Sequence, residues 1–278
     1  MPAPSLLQLR RLGLAVSVLH DVDLEPVDAG VELTGPPAVR VRWDELRAAL
    51  AGEEPESAAG RARVAAWVLA RRWAADAGRD AVEVGLRPVG LPVGHPVHLG
   101  PPWVEERVLG GALELGLGAV GVDPADRGRV VPLPPPALDA LGIDRRAAWG
   151  RLRAGLEELG RRAAAHVRAD PRGQLRPVGD ADAVTLLGAR TLRAALVRDA
   201  GGLVGAAVPT RRLGWTRLTL VDPAFAPAVA AATPAADRGF PRPLLLTADE
   251  LTLVPAGGNP SRLVLSDDDA RQGGTTCG

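Results

Sequence analysis

"RVLGGALELGLGAVGV", Arg107–Val122, is the stretch whose reading decides the fold. Gly116, Gly118 and Gly121 match the G-x-G-x-x-G pattern of a dinucleotide-binding turn letter for letter. Such a turn would imply a doubly wound parallel sheet, because it needs a strand before it and, after it, a helix whose first N–H groups hold a pyrophosphate. Asp123-Pro124 follows at once instead, and no helix opens. Leu113, Leu115 and Leu117 alternate at the strand period of two, and the five glycines of the stretch oppose a helix. The stretch therefore reads as an extended ribbon, and "RVVPL" (129–133) pairs with it across the turn "DPADRG" (123–128).

Working outward, the strongest helix begins at Asp144, a good N-cap, with Trp149, Leu152, Leu156, Leu159, Ala163 and Val167 at steps of three and four. Leu156→Asp should unfold this half. Glu157 and Glu158, four residues before Arg161 and Arg162, read as surface partners, so Glu157→Ala should cost little.

Upstream, a helix is expected from Leu6 to Leu19 and another from Ser57 to Gly78, with Gly78 as its stop. "VELTG", "AVRVRW" and "AVEVGLRPV" read as strands, and Gly35-Pro36-Pro37 as a turn between the first two. Downstream, "AVTLL", "GLVGAAVP", "TRLTLV" and the ribbon "PLLLTADELTLVP" read as strands. Helices are expected over 190–199 and near Phe225. The pairs of strands and helices lack regular βαβ spacing, which argues for an α+β fold with a largely antiparallel sheet built from β-β-α-like blocks. The expected organisation is an α+β unit over 1–90 and a second over 91–262 that shares its sheet. The polar, Gly-rich tail over 263–278, which carries Cys277, is expected to be disordered.

The composition fits a globular body, with 46% hydrophobic and 24% charged residues. There is no lysine, so all 33 basic residues are Arg, and there is no tyrosine. This high-GC, arginine-rich bias rules out Schiff-base lysines, the lysine of a phosphate loop and phenolic acid chemistry. A net charge of zero gives no long-range field toward nucleic acid or anionic lipid. No apolar run reaches the roughly 18–20 residues of a membrane span. The single cysteine allows no internal disulfide, and a cytoplasmic location is expected.

Candidate sites are few. His95 and His98, with Glu106 as a third donor, are suitable metal-ligand types. Pro96 between the histidines disfavours a helix, and in a strand their odd separation sends the rings to opposite faces, so no metal is expected. The arginine clusters alternate with acids and lack the aromatic surface that stacks bases, which argues against a nucleic-acid partner. His166 reads as a half-buried surface histidine, and Glu105/Glu106 as exposed charges. No G-x-S-x-G nucleophile turn is present, and no cofactor is expected.

The ordered series "RVLGGALELG", "ALDALGIDRRAAWGRLRAGLEELG", "GDADAVTLL", "GGLVGAAVPTRRL" and "PLLLTADELTLVP" resembles an uncharacterised bacterial family, domain of unknown function 1444, across most of the chain. The resemblance implies an α+β cytosolic body and no known reaction. Where that family shows Asp-Ala-Ser this chain has Asp182-Ala183-Val184, and where an Asp is common after the Val-Pro turn it has Arg212. Two functions are weighed. The leading one is binding or interaction with another protein. The alternative is a hydrolase or transferase using carboxylates and arginine in a cleft between the halves, at Asp182, Arg211 and Arg212.

Overall fold

The computed structural model describes residues 3–217 and 224–255. It is an α+β protein with three separate sheets among the described residues. The tail over 263–278, an expected edge strand at "SRLVL" and most of "TRLTLV" lie outside the described residues. No described helix is long and apolar enough to cross a membrane. The chain forms two compact units. One holds Met1–Val89, Val93–Glu106 and Glu114–Arg153, and the other holds Gly90–Pro92, Arg107–Leu113 and everything from Ala154 onward.

In the first unit, α1 (Leu6–His20) starts at a capping box in which Ser5 and Gln8 each accept the other's backbone N–H. Its inner face buries Leu9, Leu12 and Val16. Strands β1 (Leu24–Val27), β2 (Gly30–Leu33) and β3 (Val39–Arg42) form an antiparallel meander, in which the buried Val39 and Val41 alternate with the exposed Arg40 and Arg42. Next come α2 (Trp43–Leu50) and α3 (Ala58–Gly85).

Gly78 does interrupt α3, at φ 77 and ψ 169, but the helix then resumes. "AVEVG" is thus helical, contrary to the strand expected there, and strand β4 covers only Leu86–Pro92. Val82 is fully buried while Val84 is 79% exposed, so a single inward valine serves a short helix as well as a strand. Local alternation could not separate the two.

Arg107–Val122 is extended over Leu113–Ala119 as expected, but a short 3-10 turn at Leu109–Gly111 breaks the single ribbon expected there. After β5 (Val104–Val108), strand β6 (Leu113–Ala119) is buried throughout, and β7 (Val131–Pro132) pairs with it antiparallel, Gly118 opposite Pro132. The sheet order is β4-β6-β5. The glycine at 116 is set by packing, because a Cβ there would lie 2.4 Å from Cε2 of Trp103. Trp103 lies flush on the strand and donates its indole N–H to the Leu117 carbonyl at 2.8 Å. Beside these strands a core of Ala70, Val82, Leu117, Leu133, Leu138 and Ile143 closes, with α4 (Pro135–Ala140) contributing Ala137 and Leu138. Asp144 Oδ1 caps α5 (Arg145–Ala169), accepting the Ala147 N–H at 3.0 Å.

The second unit contains β8 (Gln174–Leu175), α6 (Ala183–Leu186), α7 (Arg190–Asp199), β9 (Val204–Thr210), β10 (Leu213–Trp215), α8 (Phe225–Ala232), β11 (Leu244–Leu246) and β12 (Leu251–Leu253). They form an antiparallel sheet of order β12-β11-β9-β10-β8. "AVTLL" is the helix α6, and this corrects the strand expectation. All four of its residues are buried, so the sequence carried no period to read, and a side-chain cap from Asp182 decided the conformation.

Candidate functional site

Asp182 and Arg211 meet. The Arg211 fork donates to Asp182 Oδ2, from Nε at 2.8 Å and Nη2 at 2.5 Å. The other carboxylate oxygen accepts the Thr185 N–H at 2.7 Å. Both acceptor atoms are therefore engaged, one in starting α6 and one in holding the β9–β10 turn, where Arg211 also exchanges backbone bonds with Ala183 and Asp237. Arg212 is exposed and stands apart, with its N–H on Thr210 Oγ1 at 3.3 Å.

His95 and His98 come together in a tight turn closed by the His98 N–H on the His95 carbonyl at 3.0 Å, not in the extended geometry read from Pro96. Both are buried. His98 Nδ1 accepts the Gly100 N–H at 2.9 Å, which leaves the ring proton on Nε2, 2.7 Å from Glu114 Oε2. Trp103 stands edge-on to the His98 ring, 5.2 Å between centroids. Glu106 goes elsewhere, to Arg153 at 2.7 Å, and no described cluster of three His, Cys, Asp or Glu could hold a metal ion.

Several acids expected at the open surface are engaged. Glu105 pairs with Arg145 at 2.5 Å; burial pushes its carboxyl above the usual carboxylate range, against the pull of Arg145. Glu157 accepts the N–H groups of Arg190 at 3.0 Å and Thr191 at 2.9 Å, so it caps α7 from α5, while Thr191 Oγ1 donates to the Glu157 carbonyl at 2.7 Å. Glu158 pairs with Arg161 on the helix surface. Arg193, also missed in the sequence, is buried and donates to the carbonyls of Leu187, Gly188 and Ala248. His166 is exposed, not half-buried, and lines a groove of about 320 Å³ with Asp170, Gln174 and Arg176. A groove of about 690 Å³ in the first unit is lined by Gln8, Arg47, Glu53, Glu54 and Glu56.

Among the described residues, exposed apolar side chains gather on α1. On the outer face of α1, Leu7 is 59%, Leu14 53% and Val18 81% exposed, flanked by Leu6 and Leu19. A helix apolar on both sides belongs in an interior, and a contiguous exposed apolar stripe marks a contact surface. The pattern was present in "LLQLRRLGLAVSVLH", where Leu9, Leu12 and Val16 share one side of the helical wheel and Leu7, Leu14 and Val18 the opposite one. Compared with known protein families, curated proteins and solved structures, the chain matches none.

Proposed function

We propose that the chain works by binding a protein partner, with the outer face of α1 as the contact surface. The observation that carries this is the exposed stripe of Leu7, Leu14 and Val18 on a helix whose other side is already packed. Covering it removes apolar surface from water, at roughly 25 cal/mol per Å². Membership in the family that the sequence resembles, and a cytoplasmic location in keeping with the single cysteine, belong to the same proposal.

A photocrosslinking residue at Val18, carried by the full chain in its native cell, is expected to yield a discrete protein adduct that Leu14→Asp abolishes. Absence of any adduct overturns the reading. Turnover of a small molecule by the purified chain, lost in Asp182→Asn, would then favour the alternative of a hydrolase or transferase at Asp182 and Arg211.

A further inference from the structure

We propose that the groove between the C-terminal end of α5 and strand β8 binds a free α-amino acid with an aliphatic side chain. All of its lining residues belong to the second unit, so the site is independent of the contact surface on α1. Two segments line it. His166, Val167 and, just past the helix end, Asp170 come from one face of α5, and Gln174, Arg176 and Val178 come from β8 and the chain that follows it. Val167 and Val178 are buried and make an apolar floor, while His166 and Arg176 are exposed.

The polar groups around that floor are only half used. Gln174 Oε1 accepts from Arg176 Nε at 3.1 Å and also from Nη2, which fixes the carboxamide with its oxygen on the guanidinium. The remaining nitrogens, Gln174 Nε2 and Arg176 Nη1, donate to no other group among the described residues. Asp170 Oδ1 accepts the Arg172 N–H at 2.9 Å, and Oδ2 has no partner among the described residues. The same holds for both ring nitrogens of His166.

These open groups differ in sign, and the difference selects the ligand. Arg176, steadied by Gln174, offers N–H donors and a positive charge to a carboxylate. Asp170 offers a carboxylate oxygen at the C-terminal end of α5, where the macrodipole also draws a cation. His166, one turn earlier, adds a ring nitrogen that in the neutral imidazole accepts a second ammonium hydrogen. A simple anion would be opposed by Asp170 and the helix end, and a simple cation by Arg176, whereas a small zwitterion satisfies both. The apolar floor then receives an aliphatic side chain. A volume of about 320 Å³ stands at the small end of the roughly 300–1,000 Å³ of ligand sites, which suits an amino acid. So few atoms support only weak binding, with a Kd on the order of 0.1–1 mM.

Isothermal titration of the full chain with L-leucine is expected to show one site with a Kd below about 1 mM. Isocaproate lacks the ammonium and isoamylamine lacks the carboxylate, and each should bind at least about tenfold more weakly. Asp170→Asn keeps an oxygen for the Arg172 N–H and removes the charge, so leucine should weaken at least about tenfold, to the level of isocaproate. Arg176→Leu should weaken it to the level of isoamylamine, and His166→Ala several-fold. Arg162→Gln, one turn before His166 and outside the groove, should leave Kd unchanged. Unchanged melting by circular dichroism checks that each variant folds, and Arg176→Leu carries the test where Asp170→Asn does not. No binding of leucine up to about 20 mM overturns the proposal. Equal affinity for leucine and either analogue overturns it too, as does a Kd that neither Asp170→Asn nor Arg176→Leu moves.

Discussion

Glu157→Ala tests whether the second unit is held by a cap supplied from a different helix. In the natural chain the carboxylate accepts two backbone N–H groups at the start of α7, at 3.0 and 2.9 Å. Nothing else within that first turn caps it, because the N-cap residue is Ala189, which has no side-chain acceptor. Losing an N-cap acceptor costs about 0.5–2 kcal/mol, and losing a negative charge at a helix N-terminus adds about 0.3–1 kcal/mol. About 2 kcal/mol is expected, equivalent to a roughly 30-fold larger open population of α7. Amide hydrogen exchange resolved by residue is the assay: protection over 190–199 should fall by about that factor. Glu158→Ala, which removes only an exposed pair with Arg161, should change protection less than about threefold. Equal protection in the two variants would refute the tertiary cap and reinstate Glu157 as a surface charge.

Three further outcomes are expected. Leu156, with no exposed surface, is next to Glu157, and Leu156→Asp should unfold the second unit by leaving a charge buried without a partner; a folded variant by circular dichroism would contradict this. Gly116→Ala should cost about 2–3 kcal/mol in urea unfolding, because its Cβ would sit 2.4 Å from the fully buried Trp103 ring; a cost below about 0.5 kcal/mol would show that the ring moves aside freely. The third concerns pH. Because burial raises Glu105, the folded chain binds more protons than the unfolded one between the ordinary glutamate value and the raised one, so stability carried by this group falls as pH rises through that window. Urea midpoints measured from about pH 7 to about pH 4.5 should show the natural chain gaining on Glu105→Gln as pH falls, and a difference that is flat or of opposite slope would refute the burial effect.

The candidate residues were only partly legible in the sequence. Asp182 and Arg211 were singled out and do meet, but the helix that Asp182 caps was read as a strand, so the role of that carboxylate in holding α6 was hidden. Glu157 looked like one half of a surface pair, since a spacing of four residues describes only contacts along its own helix. The two N–H groups it caps are 33 and 34 residues away. Arg193 gave no local signal, because burying its guanidinium takes the Leu187 and Gly188 carbonyls of the loop before α7 together with the Ala248 carbonyl from 55 residues away.

Alternation and turn chemistry within single segments settled the fold class. Leu113, Leu115 and Leu117, followed by Asp123-Pro124, required a strand where a glycine motif suggested a nucleotide loop, and a regular apolar step after Asp144 required a long helix. Such signals are carried by neighbours in the chain and survive without a partner. Tertiary packing decided the rest: which carboxylates became caps, why Gly116 must lack a side chain under Trp103, and which side of α1 stayed uncovered. Those outcomes depend on groups distant in sequence meeting at hydrogen-bonding or van der Waals range, and no local period encodes them.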